Sequence, residues 1–140
     1  MTLGNDFTLE VPATPESVGK VRRRLADFTR DQQWDPMDAD DLLLAVGEAC
    51  NNAVNYGGGA FTDPLLTVSC SSLDHDHLQV DVRNQGNGFH PDLTRLAHLP
   101  ADEFSTHGRG FSLMLALVDD VQVLSDDGNT TVRLTKSRAT

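Results

Sequence analysis

The sequence predicts an α+β fold: a two-layer α/β sandwich whose mixed or antiparallel sheet is covered on one face by three helices. Three observations carry that prediction. The hydrophobic pattern switches between strand-like alternation and helical spacing several times along the chain. Strand-like stretches adjoin across short turn-rich segments, Asp74 to His77 and Asp126 to Asn129, as antiparallel pairing requires. The two long helical stretches are each apolar along one stripe, so each has a single face to bury against a sheet.

Phe7-Thr-Leu-Glu-Val11 alternates apolar and polar, reads as a half-buried strand, and is ended by Pro12. Thr14 is placed to cap a helix with Pro15 at its first position and Glu16 in its first turn. That helix carries Val18, Val21, Leu25 and Phe28 on one stripe and runs to about Gln33. Trp34-Asp-Pro-Met is a break, with Trp34 as an anchor between two helices. Asp38 reads as the cap of the second helix, which points Leu42, Val46, Ala49 and Ala53 to the core and continues to Tyr56. Gly57-Gly58-Gly59 ends it, since consecutive glycines do not hold a helix. Leu65 to Ser71 and Leu78 to Arg83 then alternate as antiparallel strands. From Gln85 to Gly108 the chain is rich in Gly, Pro and His, with a scrap of helical pattern near Leu93 to Ala97; a loop of that length usually has a function. Phe111 to Val118 reads as a short apolar helix, and Val121 to Leu124 with Thr130 to Thr135 as a closing hairpin.

At 140 residues the chain is expected to be one domain, 1–140, large enough to bury a core. No apolar run approaches membrane-spanning length and the N-terminus lacks a signal-peptide layout, so the expected compartment is cytoplasmic, with no membrane partner. A net charge of −10 argues against direct nucleic-acid binding, which needs a basic surface; it suits a partner with a basic face, or simply solubility. Cys50 and Cys70 form no close pair and read as free buried thiols. His75 and His77 flank Asp76 in a turn with no further ligand in reach, so they read as polar turn residues; His90, His98 and His107 read as exposed loop residues, with His107 the best placed for a phosphate.

The most informative stretch is Glu48-Ala-Cys-Asn-Asn52-Ala-Val-Asn55, which puts a carboxylate and two amides on one helical stripe. Solubility does not call for this, because Asn is a mediocre helix former. The stripe suits a ligand with donors and acceptors, or a hydrated metal. Two glycine signals accompany it. Asn84-Gln-Gly86-Asn-Gly88-Phe89 follows a strand, and Gly108-Arg-Gly110-Phe111 stands directly before the third helix. Glycines opening a helix let the backbone approach an anion favoured by the free N–H groups there.

Together these motifs resemble the GHKL (Bergerat-type) ATP-binding fold, and more narrowly the bacterial anti-sigma factor serine protein kinases. The Glu48…Asn52…Asn55 helix is similar to the family's N box, Asn84 to Phe89 to its first glycine box, Gly108 to Met114 to its second, and Thr130 to Leu134 to its closing strand. The resemblance spans roughly the whole chain. It implies ATP and Mg²⁺ as cofactors, with Asn52 as the Mg²⁺ ligand and Glu48 as the general base for the incoming hydroxyl. Asn55 would support phosphates or their hydration shell, and Gly86 and Gly88 would admit adenine and ribose. Gly108 and Gly110 would face the phosphates with Arg109 nearby, and residues 90–107 would form a lid. One position departs from the family: Asn84 stands where relatives usually carry Asp to accept from the adenine amino group. Asn keeps an acceptor, loses the charge and adds a donor, so ATP is expected to bind more weakly than with Asp.

The expected function is therefore an ATP- and Mg²⁺-dependent serine/threonine protein kinase of the anti-sigma type. The resemblance implies two protein partners, a sigma factor or similar regulator and an anti-sigma factor antagonist that the kinase phosphorylates, and leaves a homodimer open. The main alternative is a nucleotide-binding partner-switch module with little or no kinase activity. A histidine kinase ATP-binding half is weaker, because no segment with a phospho-accepting histidine precedes the domain.

Overall fold

The computed structural model describes residues 6–56, 65–84, 106–126 and 129–138, without the side chains of 55–56, 106–111 and 125–126. Its elements are β1 (Phe7–Pro12), α1 (Pro15–Asp31), α2 (Pro36–Tyr56), β2 (Leu65–Asp74), β3 (His77–Asn84), α3 (Thr106–Leu117), β4 (Asp120–Asp126) and β5 (Asn129–Ser137). The five strands form one sheet in the order β1-β2-β3-β5-β4. Every pairing is antiparallel, which narrows the expected mixed or antiparallel sheet to the second kind.

Period-two alternation sets the two faces of the sheet. Val68 stands opposite Val82 and Cys70 opposite Val80. Val80 in turn faces Leu134, and Val82 faces Val132. All six are buried, on the face against which the helices pack. The other face is polar: Asp81 accepts two hydrogen bonds from Arg133 on the neighbouring strand, at 2.9 and 3.1 Å. The apolar stripes of α1 (Val18, Val21, Leu25, Phe28) and α2 (Leu42, Val46, Ala49, Ala53) are all buried as their spacing predicts. Each fully buried leucine among them contributes about 1.5–3 kcal/mol. Phe7 packs edge-on against Phe28 with ring centroids 5.5 Å apart, which ties the edge strand to α1.

The helix ends differ in detail from expectation. Asp35 caps α2, not Asp38: its Oδ2 accepts the Met37 N–H at 3.1 Å, with Pro36 as the first helical residue. Thr14 precedes α1 in extended conformation, but its hydroxyl meets the Ser17 hydroxyl at 3.1 Å and makes no side-chain cap bond. Helix α1 ends at Asp31, two residues early, in a Schellman motif: Trp34 N–H reaches Thr29 O at 2.9 Å and Gln33 N–H reaches Arg30 O at 3.0 Å. That motif needs a left-handed residue, and Gln33 supplies it at φ 58°. Trp34 is buried at the α1–α2 junction as expected, under the Arg138 guanidinium, which lies 4.7 Å from the ring centre. Arg138 also donates to the Gln33 and Gln32 carbonyls at 3.2 and 3.3 Å, so the end of β5 straps the end of α1.

Candidate functional site

Helix α2 is the scaffold of the site: it packs on α1, on α3 and on β2, β3 and β5. Glu48 and Asn52 lie one turn apart on it. Glu48 is partly buried and lines a hollow of about 150 Å³ with Val18, Arg22, Leu44, Gly47 and Asn51. Asn52 is only 7 % exposed, and its Nδ2 has no hydrogen-bond partner among the described residues. Leaving such a group unsatisfied costs about 1–3 kcal/mol. A half-turn about the last side-chain bond exchanges that nitrogen for the amide oxygen, so the buried end can present either a donor or a hard oxygen ligand. Asn55 continues the stripe along the same helix, but its side chain lies outside the described residues.

Asn84 is the last residue of β3, in register with Leu66 on one side and Thr130 on the other. Alternation puts it on the same face as Val80 and Val82, below α2, and it is only 5 % exposed. Its Oδ1 is a buried acceptor without a donor among the described residues. Two buried amides, each with an unsatisfied atom, thus occur on elements that pack against each other. A core polar group normally has a partner, so both atoms are open to one from beyond the described residues: another segment of the chain, a water or a ligand.

Thr130 belongs with them and was not singled out from the sequence. It is 3 % exposed and directly opposite Asn84 in the ladder. The signal was present: Thr130, Val132 and Leu134 alternate inward on β5, and only the first is polar.

Helix α3 begins at Thr106, so Gly108, Arg109 and Gly110 lie inside its first turns and not before it. This corrects the expected start at Phe111. Thr106 and His107, assigned to the end of the lid segment, are helical as well. The glycines still lie near the N-terminal end, where backbone N–H groups are free of intrahelical partners. The Arg109 and His107 side chains, Gly86, Gly88 and lid residues 90–105 lie outside the described residues.

The remaining chemistry-bearing groups among the described residues do not converge. Among the described residues no three of His, Cys, Asp and Glu gather into a metal cage. His77 pairs with Asp74 at 2.7 Å in an exposed turn, which raises the imidazole pKa and lowers that of the carboxyl. Cys50 and Cys70 are both free and buried, and burial pushes each thiol up to about 12. No described helix is long and apolar enough to cross a membrane.

The chain is similar to known proteins. The histidine kinase-like ATPase domain model matches residues 11–136. The serine-protein kinase RsbW of Bacillus velezensis is 34% identical over 134 residues, covering 91% of this chain and 82% of the relative. That of Bacillus subtilis is 31% identical with the same coverage. Among solved structures, the RsbU and RsbW domains of a Mycobacterium tuberculosis protein superpose with a TM-score of 0.72 at 20% identity, over 96% of this chain and 33% of that longer one. A chain of the SiaB–SiaC complex from Pseudomonas aeruginosa gives 0.66 at 13% identity, over 92% and 88%. These last two share the fold. The match over nearly the whole chain, with the kinase relatives above 30% identity, means that the protein belongs to the histidine kinase-like ATPase domain family, in its branch of RsbW-type serine-protein kinases.

Proposed function

We propose that this protein is an ATP-dependent serine/threonine protein kinase that acts as an anti-sigma factor and phosphorylates an anti-sigma factor antagonist of the STAS type. The observation that carries the nucleotide site is the pair of buried, unsatisfied amides, Asn52 and Asn84, on packed elements. Asn84 Oδ1 would accept from the exocyclic amino group of adenine, with Thr130 beside it. Asn52 would hold Mg²⁺ through its amide oxygen. The donor set fits an ion that takes most of its ligands from phosphates and water, because no protein cage of acidic residues surrounds it among the described residues. Bound there, Mg²⁺ supplies charge neutralisation for the phosphates.

Glu48 is the general base in this reading. It stands one turn from Asn52 and opens onto a hollow at the α1–α2 surface, where an acceptor hydroxyl can reach it. Its carboxylate takes the serine proton as the serine oxygen bonds to the terminal phosphorus and the bond to the departing diphosphate breaks. Gly108 and Gly110 place the start of α3 against the phosphates, with Arg109 and Asn55 as further phosphate-side groups and Gly86 and Gly88 lining the base and ribose. The sigma factor is the second partner, and the cytoplasm the compartment where both meet.

The test is transfer of labelled phosphate from ATP to the antagonist domain, with Glu48→Ala as control. The expected result is one labelled serine or threonine in the antagonist and at least ~10²-fold slower transfer in the variant. Tight ATP binding with no transfer by the unmodified chain would instead establish the binding-module reading.

A further inference from the structure

We propose that the base end of the site is not selective for adenine: it takes the 6-oxopurine nucleotides GTP and ITP as phosphoryl donors alongside ATP, and Asn84 is the residue that reads both kinds of base. The inference rests on the nucleotide site proposed above and names its substrate class. Position 6 separates the purines for a hydrogen-bonding partner. Adenine carries a donor there, its amino group, whereas guanine and hypoxanthine carry an acceptor, a carbonyl. The neighbouring N1 inverts as well, from an acceptor in adenine to an N–H donor in the other two. A carboxylate offers acceptors only. A primary amide offers an acceptor and a donor, and a half-turn about its last side-chain bond exchanges them. That torsion is broad and roughly two-fold, so the turn itself costs little.

The sheet surrounds this amide with groups that leave both orientations open. Leu66, Asn84 and Thr130 form one row across β2, β3 and β5. The next inward-facing row is Val68, Val82 and Val132, all buried, and it holds no polar side chain to fix the amide one way round. Asn84 Oδ1 has no donor among the described residues. Thr130 stands beside it at 3 % exposure, and a hydroxyl also donates or accepts by rotating. None of the buried polar side chains among the described residues is charged. No described buried carboxylate is therefore present to reject a carbonyl, and no buried cation to reject an amino group. Strong discrimination arises when the wrong ligand leaves a buried polar group unpaired, and an amide that pairs again by turning removes that penalty. Transfer follows the same course from each donor. The serine oxygen bonds to the terminal phosphorus, the bond to the departing ADP, GDP or IDP breaks, and the serine proton goes to Glu48.

Titration calorimetry of the unmodified chain with Mg²⁺ and ATP, GTP, ITP or CTP at pH 8 tests this, with phosphate transfer to a STAS-type antagonist domain as the second readout. GTP and ITP are expected to bind within about tenfold of ATP, and CTP, whose single ring falls short of the amide, at least about tenfold more weakly than any of the three. Labelled GTP should mark the same antagonist residue as labelled ATP. Asn84→Asp should widen the ratio of GTP to ATP Kd by about tenfold or more, since an ionised carboxylate has no donor for the carbonyl. GTP and ITP both more than about tenfold weaker than ATP overturn the proposal while leaving the ATP site standing. ITP bound with GTP excluded overturns its guanine half and traces the exclusion to the 2-amino group. CTP as tight as GTP overturns it too, because the affinity then owes nothing to the base. An unchanged GTP to ATP ratio in natively folded Asn84→Asp overturns the role of Asn84. If the nucleotides bind and none transfers phosphate, the kinase reading falls and base selection is decided by Kd. Absence of ATP binding overturns the nucleotide site and this inference together.

Discussion

Replacing Asn84 by Asp separates the chemistry of base recognition from that of the fold. Asn84 is 5 % exposed, and its Oδ1 has no donor among the described residues. A neutral hydrogen bond contributes about 1 kcal/mol net and one to a charged acceptor about 1.5–3, so the exchange should gain about 1 kcal/mol towards adenine. That is roughly fivefold in Kd. The same burial works against the variant without nucleotide. A carboxylate introduced beside Leu66 and Thr130 loses solvent, so its pKa rises above the usual ~3.9 and the free protein loses stability. The affinity gain needs the ionised form. It is therefore fully present above the raised pKa and lost as pH falls through it. Guanine presents a carbonyl where adenine presents its amino group, so the variant should also discriminate against GTP more strongly. Titration calorimetry with ATP and GTP at pH 8 and pH 5.5 measures all three effects, and thermal melts without nucleotide measure the stability cost. Equal or weaker ATP binding by a natively folded Asn84→Asp protein at pH 8 would refute the assignment of Asn84 to the base.

Three further outcomes follow from the fold. Gln33 holds a left-handed backbone at the end of α1, which costs an L-residue about 1–2 kcal/mol; after the extra chain entropy of glycine, Gln33→Gly should stabilise by about 0.5–1 kcal/mol in urea unfolding. Cys50 and Cys70, pushed to about 12 by burial, should both resist a thiol reagent at pH 8 in the native state and both react in denaturant; fast labelling of either in the native state would contradict their burial. Asp119 accepts from the Ser137 backbone N–H and hydroxyl, which lowers its pKa, so its contribution to stability is present above the unfolded carboxyl pKa and is lost as pH falls through the lower folded value. Asp119→Asn should flatten that part of the stability curve between neutral and acid pH.

The helices and strands were legible because their signals are periodic. Val18 to Phe28 and Leu42 to Ala53 repeat every three or four residues, and inward residues alternate along β2, β3 and β5. Their ends were less so, because several residues compete for each cap. Asp35 and Asp38 are equally good acceptors, and the Asp35-Pro36 pair decides between them by the same rule that places Pro15 after Thr14. Helix α3 began early because a glycine in a first turn loses less than one in a helix interior; low propensity there delayed the predicted start past Gly108 and Gly110. In the site, Glu48 and Asn52 stood out as polar residues on one helical stripe. Thr130 did not, since a single threonine in a β-strand is unremarkable until its cross-strand neighbour is known to be Asn84. Pairing across the sheet is a tertiary fact, and the spacing within one strand does not contain it.

The strand order β1-β2-β3-β5-β4 has a consequence for how the protein is made. The central strand β3 receives its second neighbour from β5, which emerges from the ribosome after β1–β4 and the three described helices. Until then, β3 has an unpaired edge, Asn84 lacks Thr130 beside it, and Arg138 has not strapped Trp34. The earlier elements therefore wait on a late, non-local pairing, the slow kind of step in folding. A nascent chain stopped before β5 has Glu48 and Asn52 in its sequence, but its Asn84 has no Thr130 beside it. On the proposed assignment of Asn84 to the base, a fragment stalled before β5 should hold nucleotide less well than the finished domain.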